Sequence, residues 1–180
     1  MRRTKWAAAA MVFIGLGAVS CGTSDAGTSG NAEIRVAPRP EGTGPLTKDF
    51  VRTDLEAAVT AAGLPANAPE YARGYERAPA DSQLSCAVGF MGSQDGTVKV
   101  DVARYEAVLR ELGKRDWQQE KKPERREDKA GKVFDAKAGL GQRGWRLSAE
   151  YRTSENGGTV RLVAFDDACM KAHGAQAPVG

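Results

Sequence analysis

The sequence predicts an α+β domain: a two-layer sandwich with a four-stranded, mainly antiparallel sheet and two helices on one face, in the order α-β-α-β-β-β. Three observations predict it. Apolar residues recur at helical spacing in two separate stretches, Val51 to Ala62 and Val102 to Leu112. Apolar and polar residues alternate in stretches around Phe90, Trp145 and Val160. The connections between the last three strand candidates are short, which favours antiparallel pairing.

The first helix is predicted over 48–62. Thr47 is placed to cap it, and Leu46 before the cap can staple to Val51. Val51, Leu55, Ala58, Val59 and Ala62 make one apolar face, and Gly63 with Pro65 ends the helix. Residues 65–83, with Pro65, Pro69, Gly74 and Pro79, read as a long loop. Leu84, Cys86, Val88 and Phe90 then alternate with Ser85, Ala87 and Gly89, which predicts a strand with Cys86 on its buried face. Asp95-Gly96 marks a turn. Val102, Tyr105, Leu109 and Leu112 form the second helix, closed by Gly113.

Residues 114–132 are densely charged with mixed signs and read as a solvated loop or frayed helix. A short strand is expected at 133–137. Trp145, Leu147, Ala149 and Tyr151 alternate with polar residues, as do Val160, Leu162 and Ala164 after Asn156-Gly157. A two-residue turn at Asn-Gly would pair Thr153 with Val160, Tyr151 with Leu162 and Ala149 with Ala164, so that the apolar faces of both strands coincide.

The N-terminus follows different rules. Arg2, Arg3 and Lys5 precede an uncharged stretch from Trp6 to Val19. As a helix that stretch is roughly 21 Å long, short of the about 30 Å of a hydrocarbon core. Basic, apolar, then small residues is the order of a secretory signal peptide. Ala18-Val19-Ser20-Cys21 resembles the bacterial lipobox, with Ala18 where Leu is usual. The resemblance implies that Cys21 receives a diacylglycerol and becomes the new N-terminus after residues 1–20 are removed. Residues 22–45 are rich in Gly, Ser, Thr and Pro and read as a flexible tether spanning roughly 25–30 Å. The layout, a lipobox, a tether and a two-cysteine domain, resembles small secreted lipoproteins of actinobacteria. Sixteen arginines against ten lysines fit a GC-rich genome. The implied localisation is the outer face of the cell membrane, with the lipid on Cys21 as the contact. The domain is expected at 46–173 and a flexible tail at 174–180.

Removal of the signal changes the meaning of charge and cysteine count. The chain has 26 basic and 23 acidic residues; without Arg2, Arg3 and Lys5 the two signs balance at 23 each. Nothing in that balance argues for nucleic acid. With Cys21 lipidated, Cys86 and Cys169 remain, 83 positions apart. In an oxidising space they are expected to form a disulfide; the alternative is two buried thiols.

No catalytic or cofactor motif emerges. Gly139-Leu140-Gly141-Gln142-Arg143-Gly144 is literally G-x-G-x-x-G, but strand periodicity follows it where a dinucleotide site needs a helix, so no cofactor is expected. His173 is the only histidine and reads as a solvated tail residue; with no C-x-x-C, no metal site is expected. Asp166-Asp167 read as a polar strand end. Trp117 and Trp145 are expected to be core or sheet-edge aromatics. Tyr71, Arg73, Tyr75 and Arg77 cluster in one predicted loop and are the candidate binding surface, since tyrosine and arginine are favoured at interfaces. The reading is a non-enzymatic ligand- or protein-binding domain. The alternatives are a cell-envelope hydrolase with an unrecognised site and an accessory protein of envelope assembly.

Overall fold

The computed structural model describes residues 41–176, so the stretch expected to be a signal peptide, Cys21 and most of the expected tether lie outside the described residues. The fold class is α+β with an open antiparallel sheet. The described residues form six strands and four α-helices, not four and two.

Helix α1 (Lys48–Ala61) begins where its cap predicts: the Thr47 hydroxyl accepts from the Phe50 amide at 3.3 Å. Leu46 and Val51 are both buried. The stretch expected to be a loop contains helix α2 (Pro69–Glu76). Pro69 opens this helix, a position where its missing N–H has no intrahelical partner to lose. Asn67 fastens the entry. Its Nδ2 donates to the Gly89 carbonyl at 2.9 Å, and its Oδ1 accepts from the Met91 amide at 2.9 Å.

The strand expected from Leu84 starts later. Gln83–Cys86 is a 3-10 turn capped by the Ser82 hydroxyl, and Leu84 points outward, 47% exposed. Strand β1 is Ala87–Ser93, and α3 is Val102–Gly113, capped by Asp101. The charged run holds two short strands, β2 (Gln118–Gln119) and β3 (Glu124–Glu127), in place of a loop or frayed helix. Both lie along β4 (Val133–Gln142), which is twice as long as expected. An Arg125–Glu106 ion pair at 2.9 Å ties β3 to α3. Strands β5 (Trp145–Ser154) and β6 (Gly157–Asp166) complete the order β1-β6-β5-β4-β2, with β3 also on β4.

The β5–β6 hairpin forms, with its register two residues from the expected one. Tyr151 faces Val160, Ala149 faces Leu162, and Leu147 faces Ala164. Ser154 pairs with Gly157, so Glu155 and Asn156 are the turn and Gly157 (φ +109°) follows it. A slip of two keeps every side chain on its face, so the alternation could not distinguish the two registers.

Helices α1 and α3 share one face of the sheet, as expected. Val51, Leu55, Val108 and Leu112 pack there with Phe90, Leu140, Leu147 and Leu162. Trp117 and Trp145 are both core residues. Trp145 Nε1 donates to the Leu46 carbonyl at 2.8 Å, and Trp117 Nε1 donates to Asp54 Oδ2 at 3.1 Å. These bonds satisfy indole donors that burial would otherwise leave unpaired.

After β6 the chain turns into a fourth helix, α4 (Asp167–Ala172). Asp166 is the polar end of β6, as expected, and also the cap of α4, whose first residue is Asp167: Asp166 Oδ1 accepts from the Ala168 and Cys169 amides at 2.9 and 3.1 Å. Gly174 (φ +68°) and Ala175, expected in a flexible tail, close the helix through bonds to the Lys171 and Met170 carbonyls. This is a Schellman ending, with Ala175 packed on Met170. Cys86 and Cys169 form the disulfide, with Cα atoms 5.5 Å apart. Cys86 is buried at the end of the 3-10 turn and not within a strand.

Candidate functional site

The sheet face opposite α1 and α3 is built from rows of residues that oppose one another across the strands. One row is small: Gly89, Val163, Ser148 and Gly139. The next is charged beyond Met91 at its β1 end: Met91, Arg161, Glu150, Lys137 and Glu124. A third runs Ser93, Thr159, Arg152, Asp135 and Arg126. Alternation along each strand produces this face, because every second residue must point away from the core.

Helix α2 stands at the β1 margin of this face. Tyr71 and Tyr75 lie one turn apart, with ring centroids 5.2 Å apart and hydroxyls 3.1 Å apart, the Tyr75 hydroxyl donating. The Tyr75 ring lies on Gly89. A Cβ there would sit 2.2 Å from Tyr75 Cε2, so only glycine admits the ring. Burial raises the Tyr71 phenol above the ordinary tyrosine value, and its bond with Tyr75 adds to the shift. Tyr71 is therefore a neutral phenol across the physiological range.

Beside the tyrosines is an ion-pair ladder. Arg161 bonds Glu150, and Lys137 approaches the other Glu150 oxygen at 3.5 Å. Arg152 pairs with Asp135 at 3.2 Å. The hydrogen bond from Arg161 to Glu150 holds the guanidinium more firmly protonated than usual. The Arg161 charge also interacts with Tyr71. A cavity of about 350 Å³ opens here, lined by Met91, Lys137, Glu150, Arg152, Thr159 and Arg161. Three cationic side chains and one carboxylate, Glu150, line it, and Asp135 pairs with Arg152 from outside the lining.

No family model, no curated protein and no solved structure matches the chain.

The four residues of the expected binding surface therefore separate. Tyr71 and Tyr75 are half-buried on one side of α2, while Arg73 and Arg77 are exposed, with Arg73 paired to Glu70. The structure sets the tyrosines near Arg161 and Tyr71 near Glu150, with Lys137 joined through Glu150, three residues that the sequence did not single out. Their signal was their place on the polar side of the alternation. The Glu150–Arg161 pairing itself depended on the register: the expected one would have set Glu150 against Val163.

The G-x-G-x-x-G segment is strand and turn. Gly139 to Gln142 belong to β4, and Arg143 (φ +43°) and Gly144 (φ +84°) are the two turn residues before β5. A Cβ on Gly141 would lie 2.4 Å from Glu120 Oε1, so this glycine makes room for a carboxylate. An open hollow of about 670 Å³ at this turn is lined by Asp116, Glu120, Arg143, Arg146 and Asp167 among others. His173 is not a solvated tail residue. It ends α4, half-buried, beside the Cys86–Cys169 disulfide. No helix among the described residues is long and apolar enough to cross a membrane.

Proposed function

We propose that the chain is a membrane-anchored extracytoplasmic lipoprotein, held by the lipid on Cys21, whose domain is a non-enzymatic binding module. The binding surface is the sheet face bordered by α2. The observation that carries this reading is the Tyr71–Tyr75 pair set directly beside the Arg161–Glu150–Lys137 ladder. Aromatic rings beside geometrically fixed, solvent-accessible charges combine the residue types that binding surfaces favour. The groups that converge there bind without offering an activated nucleophile. A neutral phenol, two guanidinium groups and an ammonium position a ligand, and no hydroxyl or thiol there bonds a general base. The cationic excess favours a protein or small-molecule partner that brings an acidic group beside apolar surface.

The test is site-specific photo-crosslinking in intact cells. A photoreactive residue at Thr159 lies on the proposed face, and one at Thr60 lies on the outer side of α1. A discrete adduct from position 159, absent from position 60 and reduced by Tyr71→Ala, supports the reading. Equal adducts from both positions, or none from 159, overturn it. Membrane retention that survives Cys21→Ala would overturn the anchor separately.

A further inference from the structure

The corner where α4 meets the 3-10 turn holds three metal-ligating groups. Cys86 Sγ, Cys169 Sγ and a ring nitrogen of His173 all lie within 4.8 Å of one another. Cys169 lies on α4 and His173 is its C-cap, four residues on, with its amide donating to the Cys169 carbonyl at 3.2 Å, so both side chains lie on one side. Cys86 arrives from the end of the 3-10 turn and is buried against Met170, with Phe165 and Ala175 around the pair. Cys169 and His173 are only half-buried, which leaves the corner open to solvent on one side.

We propose that reduction of the Cys86–Cys169 disulfide converts this corner into a Zn²⁺ site with two thiolates and the His173 imidazole as protein ligands. Among the described residues, no other set of three potential ligand groups converges this closely. The redox step balances with a dithiol reductant. Two electrons and two protons pass to the S–S bond, two thiols form, and the reductant closes its own disulfide. Binding of Zn²⁺ then releases the two thiol protons. The sulfurs must part to about 3.8 Å, the separation set by Zn–S bonds of about 2.3 Å at a tetrahedral angle. With Cα atoms 5.5 Å apart, rotation of the two side chains supplies that without moving the backbone.

Contacts besides the S–S bond hold the frame. The Asp166 cap, the Asp167 amide bond to the Gly144 carbonyl at 2.9 Å and buried Met170 each hold α4 in place. Charge favours Zn²⁺ over Cu⁺. Two thiolates neutralise a divalent ion, whereas Cu⁺ would leave a net negative charge in a half-buried apolar corner. The open side leaves the fourth tetrahedral position to water or an incoming ligand. The disulfide thus acts as a cap on the site, and reduction exposes it.

The experiment uses the full chain with Cys21→Ala, which removes the third thiol. It is reduced with a phosphine, freed of reductant and titrated anaerobically with Zn²⁺ against a chromophoric chelator. The expected result is one Zn²⁺ per reduced chain and none per oxidised chain. Co²⁺ in its place should give thiolate-to-metal charge-transfer absorption, and His173→Ala should weaken binding at least tenfold. Tryptophan fluorescence of Trp117 and Trp145 reports whether the reduced chain and the variant stay folded. Equal binding by oxidised and reduced chains overturns the proposal, as does unchanged affinity in His173→Ala. A reduced chain that unfolds and binds nothing overturns it too.

Discussion

The Trp117 indole donates to the Asp54 carboxylate at 3.1 Å, and the pair ties α1 to the segment after α3 where neither side chain meets water. Arg115 Nε stands 4.0 Å from the other carboxylate oxygen. Removing one member of such a group strands its partners in the core. Asp54→Ala is expected to lower the unfolding free energy by about 3–5 kcal/mol. Trp117→Phe, which keeps most of the apolar volume, should cost about 1–3 kcal/mol. Urea titrations at neutral pH measure both. Losses below about 1 kcal/mol in both variants would contradict the role assigned to this bond.

Asn67 supplies a side-chain donor to Gly89 and a side-chain acceptor to Met91. Asn67→Ala should destabilise by about 1–3 kcal/mol, because it leaves strand groups without partners. Native-state hydrogen exchange gives the sharper test. The Met91 amide should exchange faster in the variant, and the Leu162 amide in the middle of the sheet should not change.

Gly89 and Tyr75 make a paired prediction. Gly89→Ala puts a methyl group into the Tyr75 ring and should cost about 1–3 kcal/mol as α2 shifts outward. Adding Tyr75→Ala should recover part of that loss, giving a non-additive double-mutant cycle. Additive losses would mean that the ring does not rest on this glycine in solution.

Tyrosine ionisation is expected to lower stability at alkaline pH. Burial raises the phenols of Tyr71, Tyr105 and Tyr151 above the ordinary value. A raised folded-state pKa means that the folded chain holds protons the unfolded chain gives up. Stability from this source is therefore undiminished below about pH 10 and falls as pH rises through the folded values. Denaturation midpoints should be flat from pH 7 to 9 and drop steeply above pH 10. Phenolate absorbance in the Tyr105→Phe variant should lose a late-titrating component, not one at the ordinary value.

The Cys86–Cys169 bond closes a loop of 83 positions. Its removal in a Cys86→Ser/Cys169→Ser chain is expected to cost up to about 4.5 kcal/mol, the chain-entropy value for a loop of that length. Thermal melts of the oxidised parent and the double variant measure this. Non-reducing peptide mapping should recover one Cys86–Cys169 cross-link.

What could be read in advance followed from agreement between local signals. For α1, the Thr47 cap, the Leu46 staple, the apolar stripe and the Gly63–Pro65 stop all pointed to the same boundaries. For α2 they did not. Three prolines suggested a loop, and the helix has no fully buried residue to leave a stripe. Its packing partner, Gly89, is 14 residues from Tyr75 in sequence. Strands β2 and β3 carry no alternation because every residue in them is exposed. They are strands because β4 offers an unpaired margin, which is a tertiary cause. The aromatic half of the candidate site was legible from composition. The charged half needed the correct hairpin register, which face alternation leaves undetermined by two residues.

The two margins of the sheet end differently, and both endings prevent growth. On the β1 side, the Asn67 side chain and the Ala68 amide occupy the Gly89 carbonyl and both backbone groups of Met91. On the other side lie only Gln118-Gln119 and Glu124-Arg125-Arg126-Glu127, short, charged or amide-bearing and broken into two pieces. Neither margin gives a second molecule a long, unbroken run of free backbone groups to dock on. Copies that meet at high local concentration are therefore poorly set to polymerise through their sheets, and the broad face that carries the charged rows stays free for other contacts.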